Sequence, residues 1–236
     1  MKTQKKLWSA LAALCVATGT VAQPAYNYSK LQKEQLGRGV VAIRENPSDV
    51  VVSWRYLSSD PINTSFNVYR NGEKIAEVPH STGTFYRDTY SGNEKAVYTV
   101  KSVINGVETG KLNGNYTLPA NAPSGYIDIP LDRPAEGVTP SGQKYTYSPN
   151  DASIGDVDGD GEYEIILKWD PSNAHDNAHD GYTGNVYFDC YRLTGEKLWR
   201  IDLGHNVRAG AHYTQFMVFD LDGDGKAEVV KIGRAH

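Results

Sequence analysis

The stretch "DVDGDGEYE" that begins at Asp156 returns as "DLDGDGKAE" at Asp220, and no other local pattern constrains the chain as tightly. Calcium takes roughly six to eight oxygens, so alternate side chains of a tight loop must turn inward while glycine supplies the bend. Asp156, Asp158 and Asp160 stand at positions one, three and five, and Asp220, Asp222 and Asp224 repeat them. An EF-hand would need a carboxylate at position twelve and an exiting helix. Leu167 and Lys231 stand there instead, whereas Glu164 and Glu228 put a carboxylate at position nine, followed by an apolar run. The expected ligand segments are Asp156, Asp158, Asp160, Glu162 and Glu164 in the first loop. In the second they are Asp220, Asp222, Asp224, Lys226 and Glu228, each set tying a loop to its strand around a structural Ca2+.

Compact loops of this kind lie between strands, as in integrin-like propellers, and the flanking sequence reads as strand. "EIILKW" (164–169), "NVYFDCYRL" (185–193), "KLWRIDL" (197–203) and "TQFMVFD" (214–220) fall between the loop and its copy, four strands per repeat. Four antiparallel strands in a repeat make a β-propeller blade. The spacing exceeds the ~40 to 45 residues of a plain blade, and the surplus is the polar insertion "DPSNAHDNAHDGYTG" (170–184), the sort of loop that carries binding.

Upstream, "GVVAI" (39–43), "VVVSWRYL" (50–57), "SFNVYRNGEKIAEV" (65–78) and "AVYTVKSVINGVETG" (96–110) are short strands, with hairpin turns at Asn71-Gly72 and Asn105-Gly106. They predict a β-sandwich over 37–118. The order of Trp54, Tyr69 and Tyr98 resembles a fibronectin type III module, and these aromatics are expected in its core. Five prolines mark 119–140 as a linker with one strand at 126–129, leaving a partial propeller over 141–236. The fold class expected is all-β.

Lys2, Lys5 and Lys6, the apolar run 7–16 and the small residues before position 23 read as a signal peptide over 1–22, followed by a leader over 23–36. That implies a secreted or periplasmic protein. The apolar run is too short to span a bilayer, and Leu14 before Cys15 argues against a lipoprotein. Cleavage leaves Cys190 alone, so no intramolecular disulfide can staple the loops and calcium is expected to do so. It also removes three lysines and takes the formal charge from −4 to −7, which argues against nucleic acid or an anionic membrane as partner.

Candidates for chemistry are the polar residues near strand ends and the insertion: Asn150, Asp151, Lys168, Asp170, Thr183, Asn185, Arg208 and His212. Spacing alone favours turn-capping over catalysis for each of them. The wording of three segments adds more. "YSPNDASIGDVDGDGEYEIILKWDPSNAHDN", "GYTGNVYFDCYRLTGEKLWRIDLG" and "VRAGAHYTQFMVFDLDGDGKAEVV" closely resemble the rhamnogalacturonan lyases of polysaccharide lyase family eleven, and the resemblance runs over 37–230. It implies a signal peptide, a fibronectin-like module and an eight-bladed calcium-rich propeller. The activity implied is cleavage of pectin rhamnogalacturonan I between rhamnose and galacturonate by β-elimination.

Such elimination needs a cation on the uronate carboxylate and a base at C5, and calcium can fill the first role. The resemblance places Asn150 and Asp170 at the substrate or a central calcium. Arg208 is expected to pair with a uronate carboxylate, and His212 and Lys168 to carry protons. Family members run on for several hundred residues, so the resemblance implies a monomer when full length, of which this chain is an inactive portion with one to two blades. "KIGRAH" departs from the family, and one back-translation of it, AAG ATC GGA AGA GCA CAC, contains a sequencing-adapter string, so an assembly artefact is expected there. The alternative is a non-catalytic, calcium-dependent carbohydrate-binding or adhesion protein; "KWDPSN" and "RAGAHYTQF" favour the lyase.

Overall fold

The computed structural model describes residues 35–110, 113–176, 178–210 and 213–232, and among these no residue is helical. The expected signal and leader, apart from its last two residues, His212 and the terminal 233–236 lie outside the described residues.

Eight strands come first: β1 (Val41–Asn46), β2 (Asp49–Ser53), β3 (Ser65–Arg70), β4 (Glu73–Val78), β5 (Phe85–Thr89), β6 (Ala96–Ile104), β7 (Val107–Glu108) and β8 (Gly114–Leu118). Both Asn-Gly pairs turn the chain as expected. Asn71 and Gly72 take φ of 50° and 85°, and Asn105 and Gly106 take 52° and 79°, the left-handed pair that a tight hairpin requires. β1, β2 and β5 form one antiparallel sheet; β4, β3 and β6 form the other, with β7 and β8 both pairing to β6. Burial alternates along β1, β2 and β6, so each sheet turns one face inward. Val50, Val52, Phe66, Val68, Tyr98 and Val100 meet between them with at most 1% exposure.

Trp54 lies one residue beyond β2 yet stays in this core, its ring 5.4 Å from that of Phe66. Tyr69 does not. The strand period turns it away from Phe66 and Val68, where its hydroxyl donates to Glu108 and its ring lies 4.6 Å from the Lys101 ammonium.

No strand forms at 126–129. Pro123 and Pro130, which carry no N–H, flank that stretch, and just ahead of it an isolated bridge joins Arg44 to Ser124. A short hairpin of β9 (Gly137–Val138) and β10 (Lys144–Tyr145) follows.

Next come β11 (Tyr147–Gly155), β12 (Glu164–Pro171), β13 (Tyr187–Tyr191) and β14 (Lys197–Asp202), one antiparallel sheet in chain order, then β15 (Gln215–Phe219) paired with β16 (Glu228–Ile232). This corrects the expected grouping. The fourth member of the first sheet is β11, ahead of the first acidic loop, and the segment read as the fourth strand opens the next hairpin. β11 escaped notice because it is polar and mostly exposed, and its strand character comes from pairing with the buried β12.

β12 is covered on both faces. On one, Phe188 of β13 packs 4.7 Å from Phe216 of β15. Here Gly155 must be glycine, because an added Cβ would lie 2.6 Å from Val218 and 2.7 Å from Ala227. On the other face Tyr147, Leu167, Trp169 and Tyr191 cluster around the fully buried Asp189.

The eight-strand module and the four-stranded sheet belong to one compact unit, Gln32–His236. The Gly37 N–H donates to the Gly161 carbonyl at 2.5 Å, and the Arg55 guanidinium stacks 4.4 Å from the Tyr163 ring.

Candidate metal and substrate sites

Both acidic loops are hairpin connections, the first from β11 to β12 and the second from β15 to β16, and their internal hydrogen bonds match. Asp156 Oδ1 accepts from the Gly159 N–H at 2.7 Å and its Oδ2 from Gly161 at 2.9 Å. Asp220 accepts from Gly223 and Gly225 at 2.8 and 3.1 Å. Glu164 Oε2 takes the Val157 N–H at 3.0 Å, as Glu228 takes that of Leu221 at 2.7 Å. Gly159 and Gly161 hold φ of 80° and 92°, and Gly223 and Gly225 77° and 96°, which lets these N–H groups point inward.

The result is convergent negative charge. Carboxylate oxygens of Asp220, Asp222, Asp224 and Glu228 lie within 4.8 Å of one another, as do those of Asp156, Asp158 and Glu164. Burial pushes the Glu164 carboxyl up to about 7, and Asp158 and Asp160 add like charge. Hard oxygen donors converging on one point suit a divalent cation, so the residues present fit the expected Ca2+.

At position seven the side chains leave the loops. Glu162 reaches back to Gly37, its Oε1 2.8 Å from where a Cβ there would lie, and the Lys226 stem lies 3.0 Å from the corresponding point at Gly159. Only their main-chain carbonyls could serve an ion. Asp160 also departs from the pattern: Arg192 Nη1 holds its Oδ2 at 2.6 Å, Arg192 Nη2 bonds Asp158 Oδ2, and Glu164 Oε1 lies 3.8 Å away.

A second polar cluster lies further along β11 and β12. The register shifts between Pro149 and Ala152, so Asn150 and Asp151 bulge opposite Lys168. Lys168, 2% exposed, donates to Asp151 Oδ2 at 2.7 Å. Two residues on, Asp170 shares the Lys168 face of β12. Burial raises its carboxyl, with Lys168 opposing and Asp151 adding to the shift. Its Oδ1 is buried without a hydrogen-bond partner.

The insertion after β12 is pinned rather than loose. Asn173 Oδ1 accepts from the Gly184 N–H at 2.9 Å, and Thr183 Oγ1 from that of Ala209 at 3.0 Å. Arg208 spends its guanidinium on carbonyls of this loop, those of His179 at 2.7 Å and Gly181 at 3.0 Å. Tyr213 donates to Asp176 at 3.1 Å, and Asn185 donates to Asp202 at 2.9 Å. The structure thus groups Asn150, Asp151, Lys168 and Asp170, and assigns Arg208 and Thr183 to the insertion. Arg192 was missed because its "CYRL" context reads only as strand.

Two family profiles match the chain in tandem. The profile described as the rhamnogalacturonan I lyases beta-sheet domain covers residues 31–116; that described as rhamnogalacturonan lyase family 11, C-terminal domain, covers 126–234. Rhamnogalacturonan endolyase YesW of Bacillus subtilis (strain 168) is 49% identical over 233 residues, 97% of this chain and 36% of the relative. Rhamnogalacturonan exolyase YesX of the same organism is 52% identical over 200 residues, 85% of this chain and 32% of the relative. The crystal structure of exotype lyase YesX superposes with a TM-score of 0.74 at 52% identity, over 85% of this chain and 32% of that one. The chain therefore spans about a third of the length of the curated relatives it matches. With both of its halves matched in order and about half of its residues shared, the chain belongs to the rhamnogalacturonan lyases of family 11.

Proposed function

We propose that the protein is a secreted, pectin-degrading lyase that cleaves rhamnogalacturonan I between rhamnose and galacturonate by calcium-assisted β-elimination. The two packed sheets of the first module are read as a fibronectin type III-like sandwich, β11 to β14 as one propeller blade and β15–β16 as the start of the next. Ca2+ in the two acidic loops fastens these strands. A signal peptide and action as a monomer, in the periplasm or outside the cell, complete the proposal.

The observation that carries it is Asp170, a half-buried carboxylate whose enclosed Oδ1 has no hydrogen-bond partner, beside the Asp151–Lys168 pair, on a chain whose relatives are named as lyases of this polymer. A cation held by Asp170 and Asn150 would neutralise the uronate carboxylate and so acidify the C5 proton. Lys168, its ammonium tied to Asp151, contributes a fixed positive charge beside that carboxylate. Arg208 orders the insertion that walls the substrate. His212 remains the candidate for moving the C5 proton, two residues from the Gly210 that packs against the insertion at the His175 carbonyl. The bond broken is the one to the oxygen on C4, which leaves with the electron pair and gains a proton as the C4–C5 double bond forms.

Incubating the full-length gene product with rhamnogalacturonan I and calcium should raise the absorbance of unsaturated uronate. Binding of the polymer with no such rise would overturn the lyase reading in favour of a calcium-dependent adhesion protein.

A further inference from the structure

The two acidic loops are alike in backbone and unlike in charge. Arg192 follows β13, and two main-chain hydrogen bonds fix it in the turn to β14: its N–H to the Glu196 carbonyl and its carbonyl to the Gly195 N–H, each at 2.9 Å. From there its guanidinium lies over the first loop. One oxygen each of Asp158 and Asp160 accepts from the Asp160 and Glu162 N–H groups, at 3.2 and 2.9 Å. The other oxygen of each is bonded to Arg192.

In the second loop Asp222 and Asp224 make the same backbone contacts, at 3.0 and 2.9 Å, and among the described residues no cation is seen on their second oxygens. The convergent set there includes Asp220, Asp222, Asp224 and Glu228, whereas in the first loop Asp160 falls outside it. A planar fork that engages two carboxylates at once competes for the oxygens an ion would use, and supplies part of the charge balance an ion would supply.

We propose that Arg192 is an internal counter-cation of the first loop that weakens its hold on a divalent ion. The first loop keeps its shape without an ion, and with it the Gly37–Gly161 joint to the sandwich, and it binds a divalent cation more weakly than it would with the guanidinium removed. This rests on the reading of both loops as calcium sites.

The test is a calorimetric calcium titration of the chelator-stripped protein, with Asp156→Asn and Asp220→Asn assigning each binding class to its loop. The binding step lost in Asp156→Asn is that of the first loop, and the step lost in Asp220→Asn is that of the second. Arg192→Gln should strengthen the first-loop step about tenfold, within the range by which groups around a metal's ligands tune affinity, and leave the second-loop step unchanged. In chelator the same variant should melt earlier than the wild type, with calcium restoring it; a variant that folds only with calcium is the limiting case of that result. Arg192→Lys, which keeps the charge without the fork, should fall between. No strengthening of the first-loop step in Arg192→Gln would overturn the inference while leaving both loops as calcium sites. Absence of saturable binding at either loop would remove the calcium reading and this inference with it.

Discussion

Among the described residues Asp189 is the most heavily used buried carboxylate of the four-stranded sheet, and removing it tests how that sheet is held. It accepts from Trp169 Nε1 at 2.8 Å, the Tyr191 hydroxyl at 2.6 Å, and Arg200 Nε and Nη2 at 2.6 Å each, with 0% exposure. Asp189→Ala leaves the indole N–H and the phenol without their acceptor, at about 1–3 kcal/mol each, and strips a guanidinium of its buried partner, at about 3–5 kcal/mol. Two features soften this. The Arg200 side chain is 24% exposed and has Asp132 at 3.8 Å to turn to, and Tyr191 keeps the Asp132 N–H at 3.1 Å.

The expected loss is therefore about 4 kcal/mol rather than the full sum, or roughly a thousandfold in the opening equilibrium. Cys190 reports it. Burial pushes this thiol up to about 12, with Glu164 and Asp158 adding to the shift, so a disulfide reagent reaches it only when the sheet opens. In a Cys15→Ser background the variant should react about a thousand times faster than the parent where opening is in rapid equilibrium. A change of less than about tenfold would show that the Asp189 network does not hold the sheet.

Three further outcomes are expected. Gly161→Ala is strained at φ 92° and sets a Cβ 3.0 Å from the Gln35 carbonyl and 3.1 Å from the Gly37 nitrogen; it should cost about 1–3 kcal/mol and expose residues 35–39 to protease, whereas unchanged digestion would contradict the joint. Arg208→Ala frees the carbonyls of the insertion and should speed cleavage within 174–182 about tenfold, a rate of the size expected for losing hydrogen bonds worth about 1.5 kcal/mol; Arg208→Lys should not rescue it, and wild-type resistance in either variant would refute the role. Burial raises the phenols of Tyr98, Tyr147 and Tyr191. The folded state thus holds protons that the unfolded chain gives up near pH ~10. Their contribution is complete below about pH 10 and is lost as pH rises through the folded values. A phenolate absorbance titration should show them silent until alkaline unfolding, and ionisation of every tyrosine near pH ~10 in the folded protein would contradict this.

The acidic loops were readable because ion ligation places its demands at consecutive positions of one short segment, and the hairpins because Asn-Gly carries its own turn geometry. β11 was not, since nothing local in "YSPNDASIG" asks for a strand; the demand comes from β12, whose exposed edge it covers. The same distance effect hid Arg192, which acts on carboxylates 32 and 34 positions away, and Asp189, whose partners are distributed over β12, β13 and β14. Tyr69 was misplaced because an aromatic was equated with core while strand parity was ignored. For the candidate substrate site, residue types pointed to Asn150, Asp151, Lys168 and Asp170 separately. The bulge that sets Asp151 against Lys168, and the burial that leaves an oxygen of Asp170 free, exist only once the two strands pair.

The reaction itself leaves the most direct record. Mass spectrometry of rhamnogalacturonan I treated with the full-length gene product and calcium should show new non-reducing ends that are unsaturated uronates, each lighter by one water than a hydrolysed end. Asp170→Asn should suppress them while the protein still folds. Hydrolysed ends, or a polymer bound but uncut, would contradict elimination at this site.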